Sequence, residues 1–207
     1  NLETMKARGI QILGPTSGLT SCGEEGLGRM IEPDEIVEQV AKQFHAPSNE
    51  RRVLITLGPT RSDLDPVRYL TNRSSGLMGA ALCWAAQARG YKVTAIAGPT
   101  EARLPSGIEV VRVTTAQEMK TEVLKRWPVS QIFIGAAAVL DWQVKNLSLE
   151  KLKKEMGPPQ IEFEKNPDIL ALVSQSKRDD QFVLGFAAET EEPTENALQK
   201  LVQKGCD

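Results

Sequence analysis

Residues 51–90 set the architecture of this chain, and they read RRVLITLGPTRSDLDPVRYLTNRSSGLMGAALCWAAQARG. The run 53–57 is short, aliphatic and closed by a Gly-Pro turn, which is typical of a buried strand in a parallel sheet. After a polar loop and the turn Ser74-Ser75-Gly76, small apolar residues predict a helix from Gly79 that ends at Gly90. Because the first N–H groups of a helix attract anions, this strand–loop–helix unit predicts a phosphate-binding turn.

The rest of the chain alternates further predicted strands with predicted helices. The strands are 92–97, 109–113, 131–139 and 182–187, and the helices are 116–126, 166–174 and 192–204. Thr115 is the expected N-cap of the helix over 116–126. Alternation of this kind predicts right-handed crossovers and an α/β fold, a Rossmann-like three-layer sandwich with a mainly parallel sheet.

Residues 1–44 do not contain enough elements to bury a core by themselves. The sequence predicts the end of a helix over 1–8, a short strand over 9–13 and an amphipathic helix over 33–44. We interpret this part as the C-terminal remnant of another domain, joined by a polar linker at 45–50 to a domain at 51–207. Because another strand would be expected after residue 207, the second domain is interpreted as truncated at its C-terminus.

Composition excludes several classes of protein. The net charge of −2 gives no general attraction to nucleic acid or to an anionic membrane, and no apolar run is long enough to span a bilayer. The three cysteines have no C-x-x-C spacing, which argues against a zinc site or a disulfide framework and favours a reducing cytoplasm. The single histidine, His45, lies in the linker, so a histidine-based catalytic triad is not expected.

Polar residues at the predicted carboxyl ends of the strands point to a nucleotide. The small residues 135–138 allow close approach of a ligand, and the Asp141 carboxylate is suited to a ribose hydroxyl. The lysine-rich segment 145–155 either brackets a polyphosphate or is a solvated helix face, and Ser74 and Ser75 either help to bind phosphate or only cap a helix. The dinucleotide and P-loop fingerprints are both absent from the sequence, so a mononucleotide is favoured.

Several motifs occur together in one order: TLGPTRSDLDPVRYLTNRSSGLMG, GAAAVLDW, EKLKK, KNPDIL and GFAAET. With them, residues 51–207 resemble the phosphopantothenate–cysteine ligase (phosphopantothenoylcysteine synthetase) domain of bacterial bifunctional coenzyme A biosynthesis proteins. Residues 1–44 are similar to the end of the flavin-dependent decarboxylase in those proteins, including its flap around Cys22. The sequence departs from the family at Leu77, where a lysine is common.

The resemblance implies a reaction in two steps. The carboxylate of 4′-phosphopantothenate attacks the α-phosphate of CTP, which releases pyrophosphate and leaves an acyl-cytidylate. The amine of L-cysteine then displaces CMP and forms an amide. Such chemistry requires neutralisation of the triphosphate and stabilisation of charge at the acyl oxygen.

The resemblance also implies roles for individual residues. Asn72 is implied in turnover of the acyl-cytidylate, Lys151 in stabilising the reacting phosphate, and Asp141 in binding the ribose or base. The other implied nucleotide contacts are Gly58, Ser75, Gly76, Gly79, Gly135, Ala136, Ala137, Pro167, Asp168, Ile169, Leu170, Phe186, Lys200 and Lys204. The glycines and Ser75 would form turns near phosphate, and Phe186 would stack on the base.

The same resemblance implies cofactors and partners. Mg²⁺ is expected with the triphosphate, although its ligands are not identified, and FMN is expected only in a decarboxylase domain upstream of this chain. Cys22 would be the decarboxylase proton donor only in the full-length parent, and this chain alone is expected to have no decarboxylase activity. We expect a homodimer through the ligase domain and a cytoplasmic location. We expect no nucleic-acid or membrane partner. The alternatives are the same ligase using ATP, a nucleotide-binding module without turnover and, last, a Rossmann oxidoreductase.

Overall fold

The structure is a computed structural model that describes residues 1–19, 25–44, 50–188 and 192–207. The chain divides into two compact units, Asn1–Ser48 and Asn49–Asp207. In the described residues, no helix is long and apolar enough to cross a membrane.

The first unit contains two helices and one antiparallel hairpin. In chain order these are α1 (Leu2–Ala7), β1 (Thr16–Leu19), β2 (Glu25–Arg29) and α2 (Pro33–Phe44). The predicted strand at 9–13 is wrong, because Gly9 has φ +75° and ends α1, with its N–H donating to the Lys6 carbonyl at 2.9 Å. Cys22 lies outside the described residues.

The second unit is the predicted three-layer α/β sandwich. Its elements, in chain order, are β3 (Arg52–Leu57), β4 (Arg61–Asp63), β5 (Tyr69–Thr71), α3 (Leu77–Ala88), β6 (Lys92–Ala97), β7 (Glu109–Arg112), α4 (Ala116–Arg126), β8 (Ile132–Gly135), β9 (Trp142–Val144), β10 (Phe163–Lys165), α5 (Ile169–Gln175), β11 (Phe182–Gly185) and α6 (Pro193–Lys204). Five strands form one parallel sheet in the order β11-β8-β3-β6-β7. The fold class predicted from the sequence is therefore confirmed.

Strand β3 lies at the centre of the sheet and buries both of its faces. Leu54 packs in a cluster with residues of α4 and α5, such as Val123 and Val173. Ile55 packs on the opposite face with Cys83 of α3. Because each fully buried aliphatic side chain contributes about 1.5–3 kcal/mol, these two clusters hold the helical layers onto the sheet.

Helix α3 packs on β3 at very short range. A Cβ atom added at Gly79 would lie 2.4 Å from the Cβ of Leu57, which is much closer than carbon atoms approach in proteins. Glycine is therefore required at this position for packing. The predicted role of Gly79 in a phosphate-side turn thus competes with a structural role that the geometry already explains.

Of the predictions about individual caps and strands, some are confirmed and others are wrong. Thr115 caps α4 as predicted, since its side chain accepts a hydrogen bond from the Glu118 N–H while Glu118 accepts one from the Thr115 N–H. The predicted strand over 131–139 is too long, because regular pairing ends at Gly135. The hairpins β4–β5 and β9–β10 were not predicted, and both lie in the loops at the carboxyl edge of the sheet.

Candidate functional site

A cleft of about 330 Å³ opens at the carboxyl edge of the sheet, and we refer to it as the strand-end cleft. It lies where β8 ends, between the loop at 137–141 and the start of α5. The residues predicted from the sequence that line it are Asn72, Gly135, Ala137, Asp141, Pro167, Asp168, Ile169, Leu170, Phe186 and Lys204. Five separate segments of the second unit therefore contribute predicted site residues to one cavity.

The backbone beyond β8 is held by the end of β3. The Ala136 N–H donates to the Thr56 carbonyl at 3.1 Å, and the Ala138 N–H donates to the Gly58 carbonyl at 2.9 Å. The Ala137 N–H reaches the Thr56 hydroxyl at 3.4 Å, so these N–H groups have partners within the chain. In this conformation the alanine loop presents methyl groups and close backbone to a ligand, rather than a row of N–H donors.

Asn72 is tied to the same loop through its side chain. Its amide nitrogen donates to the carbonyl oxygens of Ala138 at 3.3 Å and of Val139 at 3.1 Å. Both amide hydrogens are therefore used by backbone oxygens, and the acceptor Oδ1 is the part of the side chain left for a ligand. The prediction that Asn72 donates to an acyl oxygen would require this pair of hydrogen bonds to rearrange.

Asn166 is a cleft residue that sequence reasoning treated only as part of a helix start. It is 6% exposed, and its Nδ2 and backbone N donate to the carbonyl oxygens of Leu140 and Asp141, both at 2.8 Å. Its Oδ1 is buried and has no partner among the described residues. Asn166 thus joins the start of α5 to the Asp141 loop, and its position directly before Pro167 in KNPDIL was the available signal.

Asp168 lies at the N-terminus of α5 and has two structural partners. Its Oδ1 accepts from the Ala171 N–H at 3.1 Å and caps the helix, while its Oδ2 lies 3.3 Å from the Lys204 ammonium of α6. This ion pair holds a cation beside the strand-end cleft. Lys200 lies on the same helix and is not among the residues that line the cleft.

Lys151 lines a different cavity, which we refer to as the lysine cavity. This cavity has a volume of about 820 Å³, and its lining includes Val67, Arg68, Lys151, Lys153, Lys154 and Pro158. The structure does not bring Lys151 into the strand-end cleft. Whether the lysine segment reaches a nucleotide in the cleft therefore stays a prediction.

The wall of the lysine cavity is fixed by a buried carboxylate. The Asp65 side chain is 0% exposed and accepts hydrogen bonds from the side chain of Arg68 and from the N–H groups of Val67, Arg68 and Leu152. Burial by itself would raise the pKa of this carboxyl, but the hydrogen bonds, led by that of Arg68, hold the pKa well below its usual range. Asp65 is therefore a carboxylate anion across the neutral pH range.

The turn before α3 has a structure that explains its serines and glycine. The hydroxyl of Ser74 accepts from the Gly76 N–H at 3.3 Å, and that of Ser75 accepts from the Leu77 N–H at 3.4 Å. Gly76 has φ +77°, and a Cβ there would lie 2.5 Å from the Thr100 hydroxyl. These are local turn contacts, and neither serine caps α3, whose N-cap is Gly76 without a side-chain hydrogen bond. Neither Ser75 nor Gly76 lines the strand-end cleft.

Gly58 lies behind that turn. It has φ +76°, and a Cβ there would approach the Gly98 carbonyl oxygen to 3.2 Å. Glycine at 58 is thus explained by the tight packing of two loops, and Gly58 does not line the cleft. In the described residues, no group of three or more His, Cys, Asp and Glu side chains is arranged to hold a metal ion.

Known proteins resemble the chain over all or most of its length. It is 43% identical over 209 residues to the coenzyme A biosynthesis bifunctional protein CoaBC of Haemophilus influenzae, and 44% identical over 211 residues to that of Vibrio cholerae. Both alignments cover 100% of this chain but only 52% and 53% of those proteins, so the chain spans about half the length of these relatives.

A solved structure and a family model give the same assignment. The crystal structure of the C-terminal domain of a CoaBC protein has a TM-score of 0.67 and 37% identity, covering 77% of this chain and 76% of that domain. Residues 48–207 match the model of the DNA/pantothenate metabolism flavoprotein C-terminal domain. The chain belongs to this family.

Proposed function

We propose that the second unit is a phosphopantothenate–cysteine ligase of coenzyme A biosynthesis, which joins 4′-phosphopantothenate to L-cysteine at the expense of CTP. The observation that carries the proposal is the strand-end cleft, because it gathers Asn72, Asp141, Phe186 and Lys204 from three loops and a helix of a family member. The names of the bifunctional relatives and of the solved C-terminal domain support the pathway.

In the first step, a carboxylate oxygen of phosphopantothenate forms a bond to the α-phosphorus of CTP, and the bond to pyrophosphate breaks. The reacting groups are all anionic, so the site must supply positive charge. Lys204 lies at the cleft, and Lys151 lies on the segment that forms the lysine cavity. We assign Lys151 to the charge on the phosphates, which requires its segment to move toward the cleft.

In the second step, the cysteine amine attacks the acyl carbon, CMP leaves, and the amine loses a proton. Asn72 borders the cleft where the acyl group would lie, and its amide is neutral. A neutral amide stabilises the acyl oxygen or the incoming amine without repelling phosphate. Asp141 and Phe186 would contact the ribose and the base, with Phe186, which is 49% exposed, stacking on the ring.

Further assignments concern the whole protein. Mg²⁺ would arrive with the triphosphate, whose oxygens are its usual ligands in such sites. FMN, and a role for Cys22 as a proton donor, would belong to decarboxylation by a full-length protein of this kind. A homodimer of the ligase domain is supported by exposed aromatic residues on the two hairpins, including Tyr69, Trp142 and Phe163.

Pyrophosphate release tests the proposal directly. With phosphopantothenate and CTP the purified protein is expected to release pyrophosphate before cysteine is added, and to form the amide and CMP afterwards. Replacing CTP with ATP tests nucleotide choice. Lys151→Gln is expected to slow pyrophosphate release by roughly 100-fold, as loss of a group that stabilises transition-state charge does.

The matched control is Lys125→Gln, which removes an exposed lysine of α4 that lines neither cavity. Its rate is expected to equal that of the unaltered protein. Release that is equally fast with ATP would replace the CTP assignment. No release with any nucleotide would leave only a nucleotide-binding module.

A further inference from the structure

The segment that carries Lys151 lies along the β4–β5 hairpin and is attached to it at regular intervals. The Val144 N–H donates to the Ser62 hydroxyl at 2.8 Å. The Ser148 N–H donates to the Leu64 carbonyl at 3.1 Å, and the Leu152 N–H donates to the Asp65 carboxylate at 3.1 Å. Residues 144, 148 and 152 are therefore bonded to residues 62, 64 and 65 of one hairpin.

The last of these attachments is the strongest. Leu152, the residue directly after Lys151, has its N–H bound by Asp65 and its carbonyl oxygen bound by Arg68 at 2.6 Å. The side chains of Arg68 and Asp65 are joined to each other by two hydrogen bonds, at 2.6 and 3.0 Å. Both bonds to Leu152 involve a charged side chain, and such hydrogen bonds are roughly twice as strong as neutral ones. A fully buried carboxylate therefore holds the peptide on one side of Lys151.

The same hairpin leads directly to Asn72. Strand β5 ends at Thr71, whose hydroxyl donates to the Thr60 carbonyl at 2.9 Å, and Asn72 follows. The residue implied in the first step and the residue implied in the second step are thus attached to one hairpin. Asp65 lines neither the strand-end cleft nor the lysine cavity, so its effect must act through the peptide that it holds.

We propose that Asp65, together with Arg68, is a positioning residue that sets the register of Lys151 on the β4–β5 hairpin for the nucleotide step. This inference rests on the proposed function, because it assigns Lys151 to the phosphates. Asp65 acts on the first step through Lys151 and has no effect on pyrophosphate release once Lys151 is gone.

A double-mutant cycle distinguishes positioning from a general loss of fold. Asp65→Asn keeps the size of the side chain but removes the charge, and it is expected to slow pyrophosphate release roughly tenfold. In a Lys151→Gln background the same change is expected to slow pyrophosphate release by less than about twofold. The effects of two residues that act as one unit on the rate are not additive. If Asp65→Asn slowed pyrophosphate release equally with Lys151 present and with Lys151 replaced, the proposal would be overturned.

A second variant keeps the test decisive if Asp65→Asn folds poorly. Arg68 is half exposed, and Arg68→Lys keeps the positive charge but lacks the planar fork that binds Asp65 through Nε and Nη2 while Nη2 reaches the Leu152 carbonyl oxygen. It is expected to slow the first step in the same direction, again only while Lys151 is present. The matched control is Asp63→Asn, which removes an exposed carboxylate of the same hairpin and is expected to change nothing. A loss as large in Asp63→Asn as in Asp65→Asn would also overturn the proposal.

Limited digestion with trypsin tests the attachment without any assay of activity. Asp65→Asn is expected to speed cleavage after Lys151 and Lys153 roughly tenfold, while cleavage after Lys125 in α4 stays unchanged. Unchanged cleavage at the segment would show that Asp65 does not hold it. Absence of pyrophosphate release from the unaltered protein would remove the proposed function instead, and the digestion would still decide whether the attachment exists.

Discussion

The strand-end cleft and the lysine cavity lie in the same unit but are built by different means. The wall of the cleft beyond β8 is backbone, which is hydrogen-bonded to the end of β3 at Thr56 and Gly58. The lysine cavity has walls of long cationic side chains, and its backbone is fixed near Lys151 by the Asp65 carboxylate. The backbone of the strand-end cleft is therefore held in place by the sheet, whereas the backbone of the lysine cavity near Lys151 is held by the charge of Asp65.

This difference has a functional meaning under the proposed ligase. A backbone wall changes little when ligands enter, which suits the recognition of a base and ribose. A segment that is bonded to one hairpin at Val144, Ser148 and Leu152 would shift together with that hairpin, which suits a lysine that must approach a phosphate. The following predictions substitute residues that hold the strand-end cleft or the lysine cavity in place.

The largest effect is expected for Asn72→Asp in the cleft. The carboxylate would lose both donors and would face the carbonyl oxygens of Ala138 and Val139, now at 3.3 and 3.1 Å from the amide nitrogen. The proposed contact with the acyl oxygen requires the amide to leave those carbonyl oxygens, and the variant has no donor to rearrange. Loss of a donor at a developing oxyanion slows catalysis by roughly 100- to 1,000-fold. We expect pyrophosphate release to continue while the acyl-cytidylate accumulates, as measured by quenching the reaction and separating the nucleotides.

Asn146→Asp is the matched control for that change. Asn146 also bonds backbone through its amide, donating to the Gln160 carbonyl at 3.1 Å, but it lies outside the strand-end cleft. Its variant is expected to complete the reaction at a normal rate. Normal turnover by Asn72→Asp would remove Asn72 from the second step.

A smaller effect is expected for Asn166→Ala. The variant loses the bond to the Leu140 carbonyl but keeps the backbone bond to Asp141. The Leu140 carbonyl is partly buried, and a carbonyl in such a place left without its donor costs about 1 kcal/mol, so the Asp141 loop is expected to loosen. We expect the KM for the nucleotide to rise roughly tenfold with a smaller change in kcat, measured by initial rates. An unchanged KM would contradict a role for Asn166 in shaping the cleft.

The parts of the fold that were predictable are those whose signals are local. The central strands were aliphatic runs, and the Thr115 cap needed only a glutamate three residues later. The strand predicted at 9–13 was wrong because Ile10 and Ile12 alternate with a polar residue, while Gly9 ends a helix just before them. The hairpins β4–β5 and β9–β10 were missed because three-residue strands are too short to show an alternating pattern.

The residues of the candidate site also divide into those that local sequence signals predicted and those that they did not. Residues at strand ends and helix starts, such as Gly135 and Pro167, line the predicted cleft because topology alone brings these ends together. Asp65 had the local pattern of a turn, an aspartate directly before proline. Its distant partner, the Leu152 N–H, is 87 residues further along the chain, and no spacing in the sequence indicates that pair.

The smallest effect concerns the dependence of stability on pH in the lysine cavity. The pKa of Asp65 is lower in the folded protein than in the unfolded chain, where an aspartate titrates at about 3.9. The stabilisation from this carboxylate is therefore fully present above pH 4 and is lost as the pH falls toward the folded pKa. Asp65→Asn carries no ionisable group there, so its deficit in the free energy of unfolding is expected to shrink between pH 6 and pH 3. Urea unfolding of both proteins at each pH measures this, with Asp63→Asn as the surface control. A deficit that stays constant would mean that the charge of Asp65 contributes nothing, and that the attachment of the Lys151 segment depends on shape alone.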